Sequence, residues 1–101
     1  MRRGQIWRYQ PVAARPGYPT LRLIVSADTI NTNADLPIVL ALHIVDVDPG
    51  NLLAVRVGDH GWARVLSIEP ALRRRLVELV GTADAEAMDN VATALRAATD
   101  L

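Results

Sequence analysis

Residues Pro37 to Val47 read PIVLALHIVDV, a nearly unbroken apolar run. A segment this greasy on both faces of an extended chain has one comfortable place, the middle of a sheet with a strand on either side. It falls well short of the roughly 20 apolar residues a membrane helix needs. The chain must therefore supply flanking strands, and its neighbouring segments read that way. Gln5 to Tyr9 carries Ile6, Trp7 and Tyr9, residue types that suit a half-buried strand. Thr20 to Ser26 (TLRLIVS) alternates, with Leu21, Leu23 and Val25 on one face and Thr20, Arg22, Ile24 and Ser26 on the other. Leu52 to Val57 (LLAVRV) is expected to pair back as a hairpin after the turn Asp48-Pro49-Gly50-Asn51, and Trp62 to Ile68 forms a further strand after Gly58-Asp59-His60-Gly61.

Between the first two strands, Gln10 to Pro19 holds Pro11, Pro16, Gly17 and Pro19 and reads as a loop, because proline cannot continue a ladder. Asp28 to Asp35 is rich in Asn and Asp and reads as a turn region. The last third changes character. Pro70 is suited to the first turn of a helix, so Ala71 to Leu79 reads as a short helix or turn, followed by a brief extended piece near Val80. Asp84 is the expected cap of a longer helix, in which Met88, Val91, Leu95 and Ala98 recur at helical spacing. Strands first and a helix last give an α+β, mainly β class: a twisted antiparallel β-sheet closing into a small barrel with a C-terminal α-helix laid on it, residues 1–101 forming a single domain.

Composition narrows the function classes. Half of the residues are hydrophobic, enough for a core, although a chain of 101 residues gains from pairing with a second copy. Basic and acidic residues number 11 each, so indiscriminate coating of nucleic acid is not expected. Every basic residue is Arg; this suits phosphate recognition, and it is also what a GC-rich codon bias produces. The absence of cysteine excludes disulfides and thiolate metal sites. MRRGQIWRYQP lacks the apolar stretch of a signal peptide, so a soluble cytoplasmic protein without a membrane partner is expected. No metal-ligand spacing, phosphate loop or paired carboxylates is present, and no cofactor is expected.

Several segments, taken in order, resemble the MazF/PemK family of toxins. They are Arg3-Gly4-Gln5-Ile6-Trp7, then Leu23-Ile24-Val25-Ser26 with Asp28 and Asn31, and Pro37-Ile38-Val39-Leu40. Arg75-Leu76, Val80-Gly81, Met88, Val91, Ala94-Leu95 and the terminal Asp100-Leu101 complete the set. The resemblance implies a small SH3-like antiparallel β-barrel of the MazF, PemK and CcdB kind, a homodimer, an antitoxin protein as partner, and metal-independent cleavage of single-stranded RNA. In that reaction the ribose 2′-OH attacks the adjacent phosphate. The 2′-OH must lose a proton, the phosphorane oxygens must be stabilised, and the leaving 5′ oxygen must gain a proton. The family's Arg at the start of the second strand and Ser/Thr at the end of the third fall on Thr20 and Val45. Valine transfers no proton, so either the reactive groups have moved or the chain is a non-catalytic binding or regulatory module on the same barrel. CcdB-like gyrase poisoning finds no supporting feature in the C-terminal residues.

If the groups have moved, Arg22 is the nearest guanidinium and His43 an imidazole on the face of Val45; these are the catalytic candidates. Their bland alternatives are a solvated or ion-paired Arg and a hydrogen-bonded core or interface His. Arg15, Tyr18, Thr20 and Ser26 are the candidate RNA contacts, Tyr18 as a stacking ring. Trp7 reads as core and His60 as a turn residue. Asp28 and Asn31 read as turn caps, and Arg73-Arg74-Arg75 as a phosphate patch, a solvated face or a dock for an acidic antitoxin segment. The nuclease expectation requires the Thr20–Ser26 and Pro37–Val47 strands to be neighbours, so that Arg22 and His43 reach one phosphate.

Overall fold

The computed structural model describes residues 1–13, 15–51 and 53–99. Among these residues, six antiparallel strands form one sheet: β1 (Gln5–Tyr9), β2 (Leu21–Ile24), β3 (Ile38–Val45), β4 (Ala54–Arg56), β5 (Trp62–Leu72) and β6 (Leu76–Thr82). A helical turn, α1 (Asp28–Asn31), follows β2, and a longer helix, α2 (Ala85–Thr99), closes the described chain. The order across the sheet is β4-β5-β3-β2-β1-β6, with β3 between β2 and β5 as its two-sided apolarity demands. The sheet does not close: β4 and β6 form its two edges, where a closed barrel was expected.

Two apolar clusters cover the two faces of the sheet. Ile6, Leu23, Leu42, Ile44, Val65 and others pack with Ala87, Val91 and Ala94 of α2. Ile24, Val39, Ala41, Ala71 and Leu76 form the second cluster, with Trp7, Tyr9 and Ile30 against it. The alternation read along Thr20–Ser26 holds, since Leu21, Leu23 and Val25 belong to the first cluster and Ile24 to the second. Asp84 caps α2 by accepting the Ala87 N–H at 2.8 Å. The helix buries Ala87, Val91 and Ala94, with Met88 and Leu95 at the margin; Ala98, expected in the stripe, is exposed because it lies beyond the sheet contact.

Three expectations need correction. The strand after the Asp48–Asn51 turn pairs with β5 and not back onto β3. Both sides of β3 are already taken, by β2 and β5. Its expected first residue, Leu52, lies outside the described residues, as do Asp100 and Leu101 of the terminal match. Pro70 opens no helix. β5 runs through it, with Leu40 as its cross-strand partner. Among the described residues no strand pairs with the β4 side of β5 along this stretch, so a residue without an N–H is accommodated there. Residues 76–82 are strand β6 against β1, and only Arg73–Arg75 form a 3-10 turn.

The Arg run is mostly consumed by the fold. Arg73 donates to the carbonyls of Leu36 (2.9 Å), Asn31 (2.6 Å), Ile30 (3.1 Å) and Asn33 (3.2 Å). One guanidinium thus bonds the carbonyls at and just after the end of α1, where the Ile30 carbonyl also accepts the Asn33 N–H at 3.1 Å. Arg75 reaches the Gln10 carbonyl at 3.4 Å, leaving Arg74 as the exposed member of the run.

Candidate active site

The register between β2 and β3 sets Arg22 directly opposite His43. The two side chains therefore leave the same face of the sheet, at neighbouring positions. A third ionisable group meets them there. One carboxylate oxygen of Glu69, Oε1, accepts from Arg22 Nε at 3.1 Å and lies 2.8 Å from His43 Nε2. Glu69 reaches them because the β3–β5 ladder carries a large bulge. Arg64 stands opposite His43 and Glu69 opposite Ala41, so Val65, Leu66, Ser67 and Ile68 face Leu42 alone. The Ser67 hydroxyl fills the gap, accepting the His43 N–H at 2.8 Å and donating to the Arg64 carbonyl at 2.6 Å. Such bulges re-aim side chains at the edges of sites.

Arg22 is fully buried, at 0% exposure, in contrast to a solvated surface arginine. Its Nη1 donates to the carbonyls of Pro19 (2.7 Å) and Leu21 (3.1 Å), which ties the end of the 10–19 loop to β2. Its plane lies over the Tyr9 ring, 4.6 Å from the centroid, with Tyr18 at 5.6 Å. Such cation–π contacts contribute about 0.5–2 kcal/mol each, more when desolvated. Its Nη2 is buried without a hydrogen-bond partner among the described residues. A buried, unpartnered guanidinium N–H is a costly feature in a core and a useful one where an anion is received.

Tyr18 roofs the group. Its ring meets that of His43 edge-on with centroids 5.7 Å apart, and the guanidinium carbon of Arg15, in the exposed loop, lies 6.0 Å from the Tyr18 ring centroid. Two shallow clefts flank this ring. One, of about 330 Å³, is lined by Tyr18, Thr20, Val45, Asp46 and His60 among others. The second, of about 230 Å³, is lined by Tyr9, Pro11, Val12, Arg15 and Tyr18 among others. Thr20 and Val45, where the family pair would stand, thus share one cleft, and the charged groups lie beneath its Tyr18 wall.

Ser26 stands elsewhere. It is 4% exposed; its hydroxyl donates to Asn31 Oδ1 and accepts the Leu40 N–H at 3.1 Å. Its expected contact with RNA is corrected by this burial: the hydroxyl is committed to the α1 network. Asn31 also donates to the Ser26 carbonyl (2.7 Å) and to Asp28 Oδ1 (3.0 Å). The Arg3 N–H and the Asn31 side chain hold the Asp28 carboxyl below its ordinary value of 3.8. His60 sits in the 3-10 turn Gly58–His60, as a turn residue should, while its ring borders the cleft and Gly81.

Sequence reasoning missed Glu69. A partial signal was present: Arg22 and His43 are each the lone ionisable residue of an apolar strand, and Glu69, between Ile68 and Pro70, shares its strand with one other ionisable residue, Arg64. Isolated charges on separate apolar strands are expected to meet, because each must be compensated once buried. The bulge that lets Glu69 do so leaves no mark in the sequence.

Among the described residues, no group of three or more His, Asp or Glu side chains is placed to hold a metal ion, and no helix is long and apolar enough to cross a membrane. No protein-family model matches the chain, and no curated protein does. Solved structures do match. An endoribonuclease from a mycobacterial species superposes with a TM-score of 0.82 at 24% identity, over 100% of this chain and 92% of that one. An endoribonuclease from a mycobacterial species in complex with its cognate antitoxin gives 0.82 at 24% identity, over 100% and 96%. MazF from Deinococcus radiodurans gives 0.75 at 16% identity, over 99% and 96%. The chain has the fold of these proteins, in agreement with the order of motifs read from its sequence.

Proposed function

We propose that this single-domain protein is a toxin-like endoribonuclease of the MazF kind, cleaving single-stranded RNA in the cytoplasm and restrained by an antitoxin protein. The observation that carries the proposal is the meeting of a buried guanidinium and an imidazole beneath a tyrosine on the MazF fold. With Tyr18 displaced onto a base, Arg22 Nη2 turns to the equatorial phosphorane oxygens and His43 receives the proton of the 2′-OH. Water protonates the leaving 5′ oxygen. Arg15, Tyr18 and Thr20 border the path of the strand, and Arg74 is the exposed guanidinium of its run for an acidic antitoxin segment. Purified protein is expected to cut an unstructured RNA in EDTA and leave a 2′,3′-cyclic phosphate end. Intact RNA, under conditions where one of the superposable endoribonucleases cuts, rejects the proposal.

A second proposal has its own support. Arg22 is wholly enclosed and Thr20 and Val45 replace the family pair, as suits a non-catalytic module that binds nucleic acid or protein. RNA binding without cleavage, unchanged in a His43→Ala variant, is the outcome that selects it.

We further propose that the protein is a homodimer. Ile38, Leu40 and Ile68 stand 41%, 38% and 45% exposed, and Pro70 lies across from Leu40, so one end of β3 and β5 presents an uncovered apolar surface. Leu40→Asp is expected to weaken self-association by roughly 30-fold or more, the cost of about 2 kcal/mol at a central contact, as read by sedimentation. An unchanged dissociation constant moves the interface elsewhere.

A further inference from the structure

We infer that Glu69 is a positioning residue: its carboxylate selects the tautomer of His43 and, through the same oxygen, sets the plane of Arg22. This rests on the nuclease proposal for its catalytic meaning, although its first consequence is independent of activity. Oε1 lies 2.8 Å from His43 Nε2. An ionised carboxylate only accepts hydrogen bonds, so the imidazole must donate Nε2–H to it. The neutral ring then carries its lone pair on Nδ1. The nitrogen turned away from Glu69 is therefore the one able to take a proton. A backbone bond from His43 to Ser67 and the edge of Tyr18 restrict the ring further.

The same oxygen holds Arg22 Nε at 3.1 Å. Two donors on one oxygen fix the distance between guanidinium and imidazole, which the sheet register alone would leave to side-chain rotation. In the proposed step the O2′–H bond breaks and Nδ1–H forms. O2′ bonds to phosphorus, the P–O5′ pair leaves on O5′, and O5′ takes a proton from water. The imidazolium returns its proton to the hydroxide. Throughout, Nε2–H stays on His43, and Glu69 stabilises the charge without accepting the proton.

The test is the 15N spectrum of the His43 ring in the full chain, at roughly pH 8 where an ordinary imidazole is neutral. The wild-type ring is expected to show a protonated Nε2 and a bare Nδ1. Glu69→Gln retains an oxygen that can accept both bonds, and is expected to preserve that tautomer. Glu69→Met, of similar length, removes the acceptor and is expected to lose the preference. A bare Nε2 in the wild type, or a tautomer unchanged in Glu69→Met, overturns the inference. If Glu69→Met does not fold, the wild-type and Glu69→Gln spectra still decide. Kinetics supply the second readout: Glu69→Gln is expected to lower kcat on the order of 10²-fold with KM nearly constant, since the lost charge acts on the imidazolium and not on bound RNA. A rise in KM alone makes Glu69 a binding residue and overturns the positioning role. Should the wild type cut no RNA, the nuclease proposal falls while the spectra still judge Glu69.

Discussion

Arg22→Ala is expected to cost the protein about 3–5 kcal/mol of stability, the range for removing one partner of a buried charge pair. Several losses add up at this one position. The carbonyls of Pro19 and Leu21 lose their donor, the Tyr9 ring loses the plane packed on it, and a cavity replaces a fully buried side chain. Glu69, itself partly exposed, is rehydrated, which holds the cost toward the lower end. Urea unfolding measures the loss. Cleavage is expected to fall on the order of 10³-fold, as for other removed stabilisers of transition-state charge. Arg22→Lys separates the two effects. An ammonium keeps the charge against Glu69 but cannot reach Glu69, Pro19 and Leu21 in one plane, so stability is expected to drop less while cleavage remains low. Full cleavage by a folded Arg22→Lys protein removes Arg22 from any role that depends on its fork.

Gly61→Ala is the second large effect. Gly61 has φ +117°, and a Cβ there would overlap the carbonyl oxygen of Val45 and crowd Asp46 Cα. The obstacle is the backbone of the central strand's end, which has no rotamer to yield. Backbone strain of about 1–3 kcal/mol and overpacking of similar size give an expected loss of about 3 kcal/mol or more. For a domain this small, that lowers Tm by roughly 12 °C or more. Gly58→Ala is the control: φ is +62°, yet nothing lies within 4 Å, so only the conformational cost remains, about 1 kcal/mol. Equal melting shifts for the two variants exclude close approach as the cause. Because Val45 and Asp46 line the cleft beside Tyr18, Gly61→Ala is also expected to disturb that wall.

Strand content, the two faces of β2, the central place of β3 and the Asp84 cap were legible because each depends on local alternation or local hydrogen bonding. The stretch from Pro70 to Leu79 was misread for an equally local reason. Proline and a run of arginines look like a helix start, and only the absence of a strand beside that part of β5 makes an extended proline admissible. The arginine run was ambiguous because guanidinium groups serve backbone carbonyls as readily as phosphates; Arg73 is taken up by the end of α1.

At the site, the meeting of Arg22 and His43 was legible once the resemblance had drawn attention to Thr20 and Val45, since both residues lie on strongly patterned strands that are neighbours in the sheet. Glu69 was not, because four residues of β5 loop out opposite Leu42 and shift its register. Ser26 was misplaced because alternation assigns a face of the sheet, and a face can still be covered, here by α1.

By itself, the order of apolar and turn residues determined a mainly antiparallel sheet with a terminal helix, because burial acts on local patterns. Which strands share an edge, how far the sheet stays open, and that a glutamate joins the guanidinium and imidazole were decided only in three dimensions. Those outcomes depend on contacts between residues 22, 43 and 69, whose mutual compensation of charge exists only once the chain has brought them out of water together.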